Sequence, residues 1–541
     1  MQLTKHTILL AFLLPAIMLL FSCNKFKDMN IDPTRSANLN PALQLAQTQL
    51  QFSGDLEQNE RLGVLETMPM IQHIAGAWAS QWGGMYVKQE QYLSLIWERD
   101  YPGKILNIVD AVNRTKDNPA QTNLHAICRI MKVYLFSRLT DLYGDIPYSE
   151  AGKAYIEGIS KPKYDSQKDI YTDFFKELTE AAAQLDPSKD KNTEDLFYKG
   201  DAIKWKKFAN SLHLRLAMRL VKIDPALAQK EATAAFNGGL FTSYSDICKL
   251  DHENVQNDYV DIRGNGLSAA ITQGDIIAYR LCNTLINTMK ATNDPRLDYI
   301  ARVYIDNPYK PFERIDITAQ VKAQVGIFGV NSGNFIWDDY KNSFQISVPE
   351  MGGASFTVDN NTQKAQLANF LVANNAPFIH LSYAEVQFLL ADACFRWGIT
   401  LGGTYTEHYN KGLEAACNQL ALFPGGPGSS TGSTPAISSA KITQFQNDNP
   451  LLSGKELNII NTQLWVALLM NGPEAYANWR RSGYPLLVPG FYPGYSTINT
   501  IPRRFEYPLS EKVQNADNVN AAIQKLGGVD DWTKRVWWDK E

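Results

Sequence analysis

The stretch His125-Ala-Ile-Cys-Arg-Ile-Met-Lys-Val-Tyr-Leu-Phe-Ser-Arg-Leu-Thr-Asp-Leu-Tyr143 is apolar on nearly every side of a helical projection. Arg129, Lys132, Arg138 and Asp141 interrupt it too often for a membrane span. It reads as a helix buried against several neighbours at once. The segments around it are amphipathic instead. From Asp169 to Leu185, apolar residues fall at Ile170/Tyr171, Phe174/Phe175, Leu178, Ala181/Ala182 and Leu185, one face at a 3.6-residue period, behind a Ser166/Asp169 capping-box start. Trp205, Phe208/Ala209, Leu212, Leu216 and Leu220 repeat the pattern.

Further on, Ser382 with Glu385 opens a helix bearing Val386, Leu389/Leu390, Ala393 and Trp397, and Thr404 with Glu407 opens another through Tyr409, Leu413, Ala416 and Leu420. Paired amphipathic helices joined by short loops form hairpins that can stack into a solenoid. Ala384-x3-Phe388 and Ala391-x3-Phe395 have tetratricopeptide-like spacing. Between the helical blocks, Phe241–Gly274, Asn307–Asn361 and Phe423–Asn449 are dense in Gly, Asn, Asp, Ser and Pro, and long loops of this kind are often functional. Short β-hairpins are expected only around Asn334–Val348 and Ala354–Val358. The fold class is mainly α, with elaborate loops.

The chain has 541 residues and balances 52 Lys+Arg against 56 Asp+Glu, a net charge of −4. No basic excess exists to neutralise phosphates, so nucleic acid is not an expected partner. Lys5 followed by the apolar run Ile8–Phe21 reads as a signal peptide, too short to span a bilayer. It ends in Leu20-Phe21-Ser22-Cys23, which resembles a bacterial lipoprotein processing box. Residues 1–22 are then removed, Cys23 is lipidated, residues 23–40 form a flexible tether, and 41–541 form the domain. The five remaining cysteines, Cys128, Cys248, Cys282, Cys394 and Cys417, are odd in number and form no CxxC pair, so they read as buried free thiols.

Catalytic motifs find little support. Gly428-Ser-Ser-Thr-Gly432 fits the G-x-S-x-G pattern, but it lies in a low-complexity loop where that chemistry needs a strand before the serine and a helix after it. Gly264, Gly266 and Ala269 fit a dinucleotide fingerprint without the βαβ setting or the acidic residue downstream. The seven His are scattered and no metal-ligand spacing occurs, so neither metal nor cofactor is expected. Glu385 and Asp392 share a helix face and read as a cap and a solvated side chain. A pair of carboxylates for sugar hydrolysis needs only spatial proximity, and sequence cannot select one.

The informative surplus is aromatic: 25 Tyr, 24 Phe and 11 Trp. Several fall in Gly-rich or Pro-rich settings. Trp78, Trp82 and Tyr86 surround Gly76 and Gly83-Gly84; Tyr304, Tyr309 and Phe312 flank Pro308 and Pro311; Trp337 and Tyr340 follow Gly333. Flat rings on loops can stack on a sugar ring or a peptide side chain, with neighbouring amides and carboxylates fixing hydroxyls. Trp78, Trp82, Tyr86, Tyr309, Phe312, Trp337 and Tyr340 are the candidate ligand-binding residues.

Four blocks resemble the SusD/RagB family of outer-membrane lipoproteins: Arg129–Tyr148, Pro377–Asp392, Glu474–Pro485 and Ile501–Glu511. They lie in the family's order across nearly all of the mature chain. The resemblance implies a tetratricopeptide-like helical scaffold with an irregular, loop-rich half. It further implies a non-enzymatic protein, lipid-anchored at the outer membrane and facing the cell surface, that binds a glycan or peptide nutrient. Its partner would be a TonB-dependent SusC-like barrel, which it caps as a hinged lid. The four blocks read as scaffold, with Arg480 and Arg481 tying helices and loops together, and only the habit of a loop-borne aromatic platform carries over to the ligand site. A lipid-anchored glycan hydrolase and a helical-repeat interaction scaffold are the alternatives. Replacing Cys23 with Ala should release the protein from the membrane fraction of fractionated cells; continued tight anchoring would refute lipidation at that residue.

Overall fold

A computed structural model describes residues 39–76, 79–272, 279–310, 313–333 and 343–541. The signal peptide, Cys23 and the tether up to residue 38 lie outside the described residues.

Ten helices build the body: α1 (Pro41–Gly54), α2 (Leu106–Thr115), α3 (Thr122–Tyr143), α4 (Gln167–Gln184), α5 (Ala202–Arg219), α6 (Pro225–Gly238), α7 (Tyr383–Trp397), α8 (Tyr405–Asn418), α9 (Glu456–Ala467) and α10 (Gly472–Ser482). Each packs on its neighbour in sequence, as α4 does on α5 and α7 on α8, which is the expected tetratricopeptide-like hairpin arrangement. α3 is buried on almost every side, as its composition requires: α2, α4, α5 and α10 all contact it. Gly144, at a φ of 88°, ends it and donates its N–H to Thr140 O. None of the described helices is long and apolar enough to cross a membrane.

The helix starts follow the sequence, with two differences in detail. Thr404 and Glu407 make the complete reciprocal capping box. Ser166 accepts the Asp169 N–H, but the Asp169 carboxylate takes the Ser166 hydroxyl and leaves the backbone half of the box unmade. Ser382 likewise accepts the Glu385 N–H at 3.0 Å, while the Glu385 side chain turns inward.

That turn corrects the reading of Glu385 and Asp392 as a cap and a solvated group. Both are fully buried. Glu385 takes two hydrogen bonds from Arg215, at 2.6 and 2.7 Å. Asp392 accepts from Arg481 at 3.0 Å, from Asn461 at 2.8 Å and from Arg396. Burial would raise the Asp392 carboxyl, but the Arg396 and Arg481 guanidiniums outweigh it and hold the group at about 2. Nearby, Arg219 joins Asp141 at 3.2 Å to Glu474 at 2.5 Å, and Arg480 donates to the carbonyls of Asp141 and Arg503. Arg480 and Arg481 therefore tie helices and loops together, as read from the sequence.

Among the described residues, strands occur only in two-stranded pairs. Phe344–Val348 and Ala354–Val358, both expected to be extended, pair with each other as one antiparallel hairpin. A second hairpin, Tyr304–Asp306 with Arg314–Asp316, was not anticipated. Together with the helix Thr318–Val325 they enclose a small separate core of Val303, Ile305, Ile315, Ile317, Val321, Ile346, Val348 and Val358. This satellite lobe joins the body through Ala301–Arg302 pairing with Gln366–Leu367. The five cysteines other than Cys23 are buried and free.

Asp392→Asn should cost about 3–5 kcal/mol in urea unfolding at neutral pH, because it strands two buried or half-buried guanidiniums. It should also flatten acid denaturation. The depressed carboxyl contributes stability above about pH 4, its unfolded range, and gives it up as pH falls toward 2. Equal acid sensitivity in the variant would contradict this.

Candidate functional site

Two π-helical segments, Asn59–Thr67 and Ser80–Gly84, lie side by side. Wide turns of this kind interrupt regular helices and often occur at functional sites. Their contact depends on Gly83: a Cβ there would sit 2.3 Å from Glu66 O and 2.7 Å from Leu65 O. The adjoining Trp82 is half-buried and meets Tyr92 edge to face at 5.5 Å and 86°. The Arg61 guanidinium lies 4.4 Å from the Tyr92 ring centre. Arg61, Tyr92 and Trp82 thus form a continuous stack, and the Trp82 indole N–H is buried with no hydrogen-bond partner among the described residues.

Three loops meet beside this stack. Gly333, at a φ of 72°, is pressed against Gly490, where a Cβ would lie 2.0 Å from Gly490 O. A Cβ on Gly490 would in turn lie 2.6 Å from Gly84 O. Only residues without a side chain allow this three-way backbone approach. Gln72 donates to Val488 O, and Thr497 donates to Tyr86 O at 2.8 Å, so the loop 484–500 is fastened at several points. It presents Leu486 (77% exposed), Val488 (78%), Phe491 (49%) and Tyr495 (56%) to solvent. Tyr492 and Tyr495 pack edge to face at 5.5 Å.

The candidate residues separate on this geometry. Trp82 belongs to the stack. Tyr86 does not offer a face: it is fully buried at a φ of 57°, and its hydroxyl accepts the Gly490 N–H at 2.8 Å, so it fastens the junction from within. Tyr309 is 68% exposed, but on the turn of the satellite hairpin. Trp78, Phe312, Trp337 and Tyr340 lie outside the described residues. Sequence reasoning missed Tyr92 and Arg61, which sit in ordinary helical patterns. It also missed Gly490-Phe-Tyr-Pro-Gly-Tyr495, which carries the same Gly, Pro and aromatic signal that selected the others.

The rejected motifs stay rejected. Ser430, the serine of the pattern, lies in a turn, with neither a strand before it nor a helix directly after it. Gly264 and Gly266 serve close backbone packing against Val255 O and Gly54 O. Among the described residues no group of three His, Cys, Asp or Glu could hold a metal ion.

Comparison with known proteins agrees with the helical body and its loop-rich half. Residues 33–508 match the SusD-like family described as starch-binding and associating with the outer membrane. A solved chitin-binding protein superposes with a TM-score of 0.78 at 36% identity, over 93% of this chain and 100% of its own. A SusD-like structure from Bacteroidetes AC2a gives 0.84 at 31%, with the same coverage. A chitin-binding SusD homologue from Flavobacterium johnsoniae gives 0.69 at 25%, over 93% of this chain and 99% of its own. No curated protein matches the chain. The chain belongs to the SusD-like family.

Gly490→Val should part the three loops while leaving the helical body intact. Limited proteolysis within 484–500 should accelerate about tenfold, a local opening made easier by ~1.4 kcal/mol, with far-UV circular dichroism unchanged. An unaltered cleavage rate would show that the glycine contact does not hold the junction.

Proposed function

We propose that this protein is a cell-surface glycan-binding lipoprotein. Residues 1–22 direct export, Cys23 carries the lipid, residues 23–40 are the tether and 41–541 the binding domain. It captures its ligand without breaking bonds and passes it to a TonB-dependent SusC-like transporter in the outer membrane. The observation that carries the reading is the aromatic junction: the half-buried Arg61–Tyr92–Trp82 stack, with the exposed rings of Phe491 and Tyr495 on the loop fastened next to it through Gly84 and Gly490. Aromatic faces match the apolar faces of pyranose rings. Trp337 and Tyr340 stay ligand-binding candidates on their sequence setting after Gly333.

Two relatives named for chitin binding, one at 36% identity over its whole length, support an N-acetylglucosamine polymer as ligand. The family's association with the outer membrane supports the location.

Isothermal titration of the soluble domain with N-acetylchitohexaose, maltohexaose and a peptide pool tests this. N-acetylchitohexaose should bind, and Trp82→Ala or Trp337→Ala should weaken it about tenfold, ~1.4 kcal/mol, without unfolding the protein. Unchanged affinity in both variants would remove them from the site. Release of shorter products would point to a hydrolase, and binding of peptides alone would refute the glycan reading.

A further inference from the structure

Two roomy cavities lie along the seam between the satellite lobe and the helical body, away from the aromatic junction. One, of about 580 Å³, is lined largely by charged groups, among them Lys290, Lys322, Lys441 and Asp448. Several of these already have partners: Lys322 pairs with Asp298 at 2.6 Å, and Lys290 donates to Ile327 O.

The other, of about 540 Å³, is different in kind. Its walls are the half-buried rings of Tyr299 and Phe370 with Pro424. Its charged members are already joined, Arg302 to Asp316 through two hydrogen bonds of 2.9 and 2.5 Å and Asp298 to Lys322 at 2.6 Å, so none of them is left for an ionic ligand. Asn369 and Thr434 also line it, and neither the Asn369 Nδ2 nor the Thr434 hydroxyl has a partner among the described residues. Apolar rings, neutral hydrogen-bonding groups and a volume within the roughly 300–1,000 Å³ of small-ligand sites are the features that accept a short stretch of uncharged sugar. The seam is also structurally defined: the β-pairing of Ala301–Arg302 with Gln366–Leu367 and the Arg314 bonds to Gln366 and Asn369 hold the lobe against the body at this cleft.

We propose that the cleft between the satellite lobe and the helical body, whose Asp298, Arg302 and Asp316 are all ion-paired, is a second carbohydrate subsite, taking a short neutral saccharide against Tyr299 and Phe370. The inference rests on the glycan-binding reading and adds a second place where the same class of ligand is held. A Trp82→Ala protein, weakened at the aromatic junction, isolates it. N-acetylchitohexaose and maltohexaose are titrated into that protein, into the same protein with Phe370→Ala, and into the same protein with Thr434→Arg. The arginine crowds the cleft without removing a core ring, which covers the case where Phe370→Ala, losing its edge contact with Phe423, loosens the loop. Expected is residual binding of one of the two saccharides in Trp82→Ala that falls about tenfold or more in the Thr434→Arg combination, with thermal melts unchanged. Residual binding that is equal in all three proteins overturns the subsite and leaves the glycan-binding function standing. A Trp82→Ala protein that binds neither saccharide also overturns the subsite. Failure of the otherwise unaltered protein to bind either saccharide overturns both.

Discussion

The structure depends on buried arginines whose charge is met inside the fold. Asp141, deep in α3, accepts from Arg219 at 3.2 Å, from the Trp538 indole at 2.9 Å and from the Tyr171 hydroxyl. Arg219 continues to Glu474, and Arg215 lies between Glu474 and Glu385. Arg480 and Arg504 bind the backbone carbonyls of Asp141 and Tyr143, and Arg481 holds Asp392. A charge in such a place is tolerable only when paired and hydrogen-bonded, and removing one partner strands the other. Guanidinium suits the task because its planar fork of donors reaches carboxylates and carbonyls together. The four sequence blocks that resemble the family all supply this network, together with Arg215 and Arg219 of α5. Asp141 comes from the first, Glu385 and Asp392 from the second, Glu474, Arg480 and Arg481 from the third, and Arg503 and Arg504 from the fourth. Their order along the chain is explained by one place in space.

This arrangement divides the molecule into a body that is internally satisfied and a surface that is free to vary. Among the described residues the strongest charge interactions are spent on holding helices together, and the chain as a whole is nearly neutral at −4. What the loops present is apolar and aromatic, held by backbone contacts among Gly84, Gly333 and Gly490. A rigid body with loops fastened at a few glycine contacts can change its exposed side chains without disturbing the core.

Periodicity is enough to read α4, α5, α7 and α8, because burial of one face at a 3.6-residue spacing leaves a direct trace in the sequence, while α1, α2, α6, α9 and α10 are not read from it. The all-round apolar character of α3 gave its central position for the same reason. Where the reading failed, the cause was long-range. Nothing local distinguishes Glu385 from a solvated carboxylate, since the guanidinium that draws it inward comes from α5, and Asp392, although Arg396 stands one turn on, is joined in the interior by Arg481 of α10. Tyr86 had the Gly-rich setting of a loop ring, but the approach of Gly490 from 404 residues away buries it. Tyr92 and Arg61 joined the stack through tertiary contact alone. The loop 486–495 was legible by composition and was overlooked. The small core beneath the satellite hairpins comes from short, scattered apolar runs that carry no sustained alternation.

The central claim is that a loop-borne aromatic surface, supported by a charge-locked helical body, holds a glycan. A crystal structure of the soluble domain with N-acetylchitohexaose tests it most directly. The account predicts saccharide density against Trp82, with sugar rings lying over the surface shared with the loop 486–495. Saccharide bound only at sites remote from that surface, or a crystal saturated with ligand and showing none, would contradict it.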